Sequence, residues 1–337
     1  MNLTKLAIVL KDEPKYRFTQ INKAVFQDYI ASWDEVSNLP KFLRAQLAKE
    51  CPLDIKAEIY KNKNQNKSEK ALITLSDSEV IETVLIRQKE GRNTVCVSAQ
   101  VGCPLGCAFC ATGSFGFRRN LTAEEIIEQV VFWQRYLKQE KKGEKVENIV
   151  FMGMGEPFLN YDQFIKAAKF INNPETLNIG SRRLSVSTAG IIDGIKRLTG
   201  EKMQINLAVS LHAANDDLRK DLMPIAKKYS LKEIFKAVDH YIAKTGRRVM
   251  FEYLMIKDVN DSEKDAVLLA KLMSKPLYLV NLIPYNQTGR FQASSREQIG
   301  KFKKILEDNG VAATVRLSFG ADISAACGQL RGKNRQK

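Results

Sequence analysis

Along the first 60 or so residues the apolar positions recur at three- and four-residue steps. Phe18, Ile21, Ala24, Val25 and Tyr29 form one stripe, and Leu43 and Leu47 begin another after Pro40. That period predicts helices packed through one face. The polar run Lys61-Asn62-Lys63-Asn64-Gln65-Asn66-Lys67 breaks the pattern and predicts a linker or loop. Residues 79–87 and 94–100 are short, apolar and β-branched, and Lys89-Glu90-Gly91-Arg92-Asn93 between them predicts a hairpin turn. Beyond residue 120, helix and strand signals alternate. Capping boxes at Thr122/Glu125, Ser230/Glu233 and Ser294/Glu297 and a cap at Asn160 open helices, the last of which stops at Gly310. Apolar stretches at 148–152, 183–187, 205–211, 248–256, 277–283 and 312–317 read as strands between them. Such repetition predicts an α/β fold of six or seven units, its parallel sheet curled into a full or partial barrel. The expected organisation is a small N-terminal helical accessory domain with its linker at 1–75, a barrel domain entered through the hairpin extension at 76–331, and a basic tail at 332–337.

In a barrel of this kind reactive groups collect where the strands end at their carboxyl side. The unusual motifs all fall there. Gly153-Met154-Gly155-Glu156-Pro157, Ser187-Thr188-Ala189-Gly190, Ser210-Leu211-His212 and Pro284-Tyr285-Asn286 each follow a predicted strand. Gly153 and Gly155 let backbone carbonyls approach a ligand, and Glu156 adds an acceptor for an ammonium group; a glycine turn with a helix N-terminal carboxylate is the structural alternative. Ser187, Ser210 and Asn286 suit ribose hydroxyls or polar ligand edges, or else satisfy strand-end backbone. His212 reads as a binding group at most, or as a packed rim histidine.

The most specific chemistry lies in one loop, where Cys103, Cys107 and Cys110 stand in the spacing Cys-x3-Cys-x2-Cys. Three thiolates are one fewer than a closed tetrahedral site or a fully protein-ligated [4Fe-4S] cluster needs. A cluster so held keeps one iron open to bind a cofactor and pass it an electron. A structural zinc site completed by Cys96, or loop thiols without metal, are the alternatives that spacing alone leaves open. Cys327, among small residues after the last strand, and Cys96, just before the loop, form a second pair of thiols. Cys51 reads as buried packing.

Composition narrows the partners. Fifty-three Lys and Arg against 38 Asp and Glu leave a formal charge of +15, which attracts polyanions and makes nucleic acid the first partner to consider. No apolar run approaches the ~20 residues of a membrane span, and the N-terminus lacks the length and cleavage site of a signal peptide. The expected setting is the reducing cytoplasm, with no membrane partner.

From about residue 15 to 331 the chain resembles the radical S-adenosylmethionine RNA methyltransferases that act on adenine rings, the RlmN/Cfr family. The resemblance rests on Cys-Val-Ser-Ala-Gln-Val-Gly-Cys-Pro-Leu-Gly-Cys-Ala-Phe-Cys at 96–110, Phe-Met-Gly-Met-Gly-Glu-Pro at 151–157, Ser-Leu-His at 210–212, Asn-Leu-Ile-Pro-Tyr-Asn at 281–286 and Ala-Ala-Cys-Gly-Gln-Leu at 325–330. It implies a partial (β/α)6-type radical SAM barrel with a [4Fe-4S] cluster on Cys103, Cys107 and Cys110. It implies S-adenosylmethionine held by Gly155, Glu156, Ser187, Ser210, Leu211, His212 and Asn286, two molecules being used per turnover. By the same resemblance Cys327 becomes a methyl-cysteine, Glu82 accepts the ring proton, and Cys96 is the resolving thiol that leaves a transient disulfide. The implied partners are 23S rRNA, tRNA and an external donor such as a flavodoxin-type reductant, with the protein a monomer. A splayed-out adenosine met by basic surface, Arg182 and Arg183 included, is the expected encounter. Pro157 and Pro284 resemble the branch that methylates carbon 2; Leu184-Ser185 and Ser318-Phe319-Gly320 read closer to the carbon 8 branch.

Overall fold

The computed structural model describes residues 3–61, 68–88, 91–140, 143–316, 320 and 323–330. The linker positions 62–67, Lys89 and Glu90 of the expected turn, Ser318 and Phe319, and the tail at 332–337 lie outside the described residues.

The chain opens with helices α1 (Leu3–Val9), α2 (Lys15–Phe26) and α3 (Lys41–Glu50), then strands β1 (Ala57–Lys61), β2 (Ser68–Thr74), β3 (Val80–Arg87) and β4 (Asn93–Cys96). There follow β5 (Gln100–Gly102), α4 (Ala111–Phe115), β6 (Phe117–Asn120), α5 (Ala123–Glu140), β7 (Val146–Phe151), α6 (Tyr161–Asn172), β8 (Leu184–Thr188) and α7 (Ile192–Thr199). The last part comprises β9 (Asn206–Ser210), α8 (Asp216–Leu222), α9 (Leu231–Thr245), β10 (Val249–Met255), α10 (Glu263–Leu272), β11 (Tyr278–Pro284), α11 (Arg296–Asp308) and β12 (Ala313–Val315).

The N-terminal helices bury the stripes that their sequences predict, with Ile21, Val25, Leu43 and Leu47 withdrawn from solvent. Cys51 is buried among them, and its carbonyl accepts the indole N–H of Trp33 at 2.8 Å. The helical reading ends too late, however, because β1 begins at Ala57. β2, which the sequence reading passed over, pairs antiparallel with β1 and along its whole length with β3. The expected hairpin of β3 and β4 therefore grows into an antiparallel wing of β1–β4, and the expected division after residue 75 falls in the turn between two paired strands. β2 carries no alternation because it is buried on both faces. Its charges are matched across strands, Glu69 to Arg87 at 2.9 Å and Lys70 to Glu82 at 3.5 Å.

From β4 the sheet continues in parallel through β7, β8, β9, β10, β11 and β12, in chain order. Each crossover helix carries the chain to the next position on the same side, as the handedness of β/α units requires. β1 and β12 are the two edges of this sheet, so the barrel is partial. On its outer face α5 buries Ile126, Val130, Trp133 and Leu137, and the Trp133 indole N–H donates to Thr83 Oγ1 of β3 at 3.2 Å. Truncating such a tryptophan costs about 3–5 kcal/mol.

Three local expectations shift. The strand expected over 94–100 stops at Cys96; the chain then turns at Ser98, whose N–H donates to Gln129 Oε1 and whose hydroxyl donates to the Glu82 carbonyl, and β5 pairs separately with β6. Asn160 precedes α6 but makes no side-chain cap; its amide instead donates to the carbonyls of Ala99 and Leu121. The cap of α11 is Ser295, which accepts from the N–H of Gln298, one residue beyond the expected Ser294. Among the described residues no helix is long and apolar enough to cross a membrane.

Candidate active site

A cavity of about 210 Å3 opens at the carboxyl ends of the parallel strands. Cys103, Cys107 and Cys110 line it on one side and Cys96, Arg316 and Cys327 are also in its wall. The cysteine loop runs between β5 and α4 and is pinned by backbone bonds at both ends, Cys103 N–H to the Gly116 carbonyl at 3.0 Å and Ala108 N–H to Leu222 at 2.9 Å. Burial pushes the Cys103 thiol up to about 12, and burial with the neighbouring loop sulfurs pushes Cys107 up as well. Thiols so placed ionise only against a strong local cation, which is what a metal centre provides. Among the described residues no three His, Cys, Asp or Glu side chains stand closely enough to share one metal ion. A four-iron cluster does not ask for that, since each thiolate takes its own iron, and the three loop cysteines fit such a cluster.

The C-terminal segment is sewn to this loop. Ala111 N–H donates to the Gly328 carbonyl at 2.8 Å, Thr112 Oγ1 donates to the Leu330 carbonyl, and Thr288 Oγ1 donates to the Phe109 carbonyl at 2.7 Å. Cys327, exposed, is carried on that segment, and its carbonyl accepts from Asn286 Nδ2 at 3.3 Å. Asn286 thus holds the cysteine segment rather than lining the cavity.

Opposite the loop, Glu156 caps the short turn Pro157–Asn160 and is buried. Its oxygens accept from Phe158 N–H at 3.0 Å and Ala189 N–H at 2.7 Å. Burial outweighs these bonds and pushes its carboxyl up to about 7. An arriving ammonium would reverse that shift. Gly155 before it has φ +94°, and a Cβ there would stand 2.5 Å from Gln100 Cβ, so only glycine fits.

Ser187, at the end of β8, donates to Glu252 Oε2 at 2.7 Å, and Ser210, ending β9, lies 3.5 Å from the same oxygen. His212 accepts the Leu254 N–H on Nδ1 at 3.1 Å, which places its ring proton on Nε2. Burial, with Arg219 nearby, pushes His212 down to about 3, so the ring is neutral. Leu211 is buried in the core, its N–H and carbonyl engaged with Glu252 and Arg219; it sets the positions of its two neighbours.

Cys96, ending β4, is buried, and its thiol is pushed up to about 12, chiefly by burial. In the sheet register Cys96 lies opposite Val84, two residues along β3 from Glu82, so Cys96 and Glu82 share a face as diagonal neighbours. Glu82 itself is buried behind the cavity wall, 3.5 Å from Lys70.

Arg182 and Arg183 correct an expectation. They precede β8 at the end of the sheet remote from the cavity, exposed, with their side chains on Gln204 and Asn148, so they do not border the site. Conversely, Glu252 and Arg316 were missed, as was the buried Arg219, which donates to the carbonyls of Ala189 and Leu211 and ties the ends of β8 and β9. A lone carboxylate inside the apolar run Val249-Met250-Phe251-Glu252-Tyr253-Leu254-Met255 was the available signal for Glu252.

Residues 97–270 match the model of the radical SAM superfamily. The chain is 46% identical over 322 residues to a probable dual-specificity RNA methyltransferase RlmN of Dictyoglomus thermophilum, covering 95% of this chain and 91% of the relative. The corresponding protein of Geobacillus kaustophilus is 44% identical over 332 residues, with 98% and 90% covered. A crystal structure of a radical SAM methyltransferase from Sphaerobacter thermophilus superposes with a TM-score of 0.93 at 44% identity, covering 98% of each chain. A cysteine loop at the barrel mouth, a second thiol pair in the same wall and likeness along nearly the full length agree: the chain belongs to the radical SAM superfamily and, within it, to the RlmN family of RNA methyltransferases.

Proposed function

We propose that this protein transfers a methyl-derived carbon to carbon 2 of an adenosine in 23S rRNA and in tRNA, through a methyl-cysteine and a protein–RNA adduct. The observation that carries the reading is that Cys96 and Cys327 line the same cavity as Cys103, Cys107 and Cys110. Carbon 2 of adenine is not nucleophilic, so direct displacement on a methylsulfonium does not reach it.

When bound to the three loop cysteines, a [4Fe-4S] cluster supplies the electron that cleaves S-adenosylmethionine reductively. Cys327 first gives its thiolate electron pair to the methyl group of one S-adenosylmethionine. That methyl, having lost one hydrogen atom while a second molecule is consumed, adds through its carbon to the adenine. Glu82 takes the ring proton, and the unpaired electron that the addition leaves on the ring is returned to the oxidised electron donor. Cys96 then attacks the Cys327 sulfur, forming a disulfide as the sulfur–carbon bond breaks and the carbon takes a proton to become the methyl group. Gly155, Glu156, Ser187, Ser210 and His212 hold and orient S-adenosylmethionine, with Leu211 and Asn286 setting their surroundings. A flavodoxin-type donor supplies electrons, and the protein works as a cytoplasmic monomer. The +15 charge favours a polyanionic substrate.

The test is mass spectrometry of a 23S rRNA fragment and of tRNA after anaerobic incubation with cluster-loaded protein, reductant and S-adenosylmethionine carrying a CD3 group. Carbon 2 methyladenosine that has lost one deuterium is expected. An intact CD3 group overturns the methyl-cysteine route, and a methyl on carbon 8 overturns the ring position.

A further inference from the structure

The glycine motif before Pro157 lies against residues 97–100, and the two stretches are joined bond by bond. Gly153 N–H donates to the Val97 carbonyl at 3.0 Å, and Met154 N–H donates to Ser98 Oγ at 2.9 Å. The Met154 carbonyl accepts in return from Ala99 N–H at 2.9 Å and Gln100 N–H at 3.2 Å. One contact reaches further along the motif. The Glu156 N–H donates to the side-chain Oε1 of Gln100 at 2.9 Å.

Gln100 is buried in β5. A backbone N–H only donates, so the bond to Glu156 fixes which amide atom faces it and turns Nε2 the other way. Nε2 donates to Asn120 Oδ1 at 2.8 Å, on the exposed residue that faces Gln100 in the β5–β6 register. Both ends of the amide are therefore engaged. Gly155 completes the fit, since a Cβ there would stand 2.5 Å from Gln100 Cβ, 2.7 Å from its Cγ and 2.8 Å from its Oε1. The missing side chain at 155 makes room for this glutamine. The Glu156 carboxylate is anchored separately, by the N–H groups of Phe158 and Ala189, so its backbone and its charge have independent supports. Methionine at position 100 would fill similar space and offer Glu156 no comparable acceptor; asparagine is shorter by one methylene.

We propose that Gln100, braced by Asn120, is a positioning residue for S-adenosylmethionine: by holding the Glu156 N–H it sets where the Glu156 carboxylate meets the ammonium group of the amino-acid arm. The inference rests on the role proposed above for Glu156. Gln100 itself touches no part of the ligand in this account. It acts through one hydrogen bond, and its effect is confined to the end of the molecule that carries the ammonium.

The experiment is equilibrium dialysis of two ligands against anaerobic cluster-loaded protein, compared at equal iron per chain. One is S-adenosylmethionine; the other is 5′-methylthioadenosine, which keeps the nucleoside and the sulfur but lacks the amino-acid arm. Gln100→Met is expected to weaken S-adenosylmethionine about tenfold and 5′-methylthioadenosine less than about twofold. Asn120→Ala, an exposed change that only unbraces the amide, is expected to give a loss of about threefold with the same selectivity, and it decides the matter if Gln100→Met fails to fold or to load its cluster. Unchanged S-adenosylmethionine binding, or equal losses on the two ligands, overturns the proposal. Glu156→Gln separates the two claims. If it too weakens S-adenosylmethionine selectively, Gln100→Met in that background should add less than about twofold, and a further full tenfold loss overturns the proposal alone. If Glu156→Gln affects both ligands equally, the role of Glu156 falls and this inference falls with it.

Discussion

The Lys70 ammonium stands 3.5 Å from the Glu82 carboxylate, and both side chains are nearly closed to solvent. Lys70 also donates to the Ser324 carbonyl at 3.2 Å, so one lysine joins β2, the residue proposed to take the ring proton and the segment that carries Cys327. Breaking a buried pair by removing one partner costs more than the pair itself contributes. Lys70→Met is expected to destabilise the protein by about 3 kcal/mol, and a Lys70→Met/Glu82→Leu double variant to recover part of that loss. Urea unfolding of the two singles and the double measures it; strictly additive losses would mean the pair is not energetically coupled.

Cys96→Ala removes the thiol proposed to release the product. The expected outcome is RNA covalently attached through Cys327, visible as a slow band on a denaturing gel that nuclease digestion collapses. Lost turnover without such a band would remove the resolving role.

Gly155→Ala places a Cβ on a φ of +94° and against Gln100, whose Oε1 is already occupied by the Glu156 N–H at 2.9 Å and cannot give way freely. A loss of about 2 kcal/mol in stability is expected. Because the strain lies next to Glu156, binding of labelled S-adenosylmethionine in equilibrium dialysis should fall at least about tenfold. Gly143→Ala, at φ +93° with open space around it, is the control that should keep binding.

His212 gives a pH dependence with a definite sign. Its folded value, about 3, lies below the ordinary 6.5 because of burial first and Arg219 second. The unfolded chain therefore binds the extra proton first, and the contribution of His212 to stability is present above pH 6.5 and drains away as pH falls toward 3. His212→Asn, which tolerates the φ of +60° at this position, is expected to flatten the acid limb of the stability profile by a few kcal/mol. Denaturant midpoints of the two proteins at neutral and acid pH decide it; parallel profiles would sink the assignment.

The parallel strands and their motifs were legible because fully buried strands read as short apolar runs and because cavity-lining residues follow them directly. β2 was not, since its burial is achieved by pairing Glu69 and Lys70 with charges on other strands, and no local pattern records such a partner. Glu252 and Arg316 were overlooked for a related reason. Their importance comes from meeting each other across the sheet, from two strands separated in space by β11. Arg182 and Arg183 failed in the opposite way: basic residues beside a strand suggested a nucleic-acid contact, but they precede the strand, and polarity along the chain decides which end of the barrel a neighbour occupies.

The bonds that join Phe109, Ala111 and Thr112 to Thr288, Gly328 and Leu330 tie distant stretches of chain into one body. A tug on either is felt by the other. Maturation of the inorganic centre and presentation of the sulfur proposed to accept the methyl group are therefore not separate events, and a polypeptide whose loop has not yet settled would also hold Cys327 out of register.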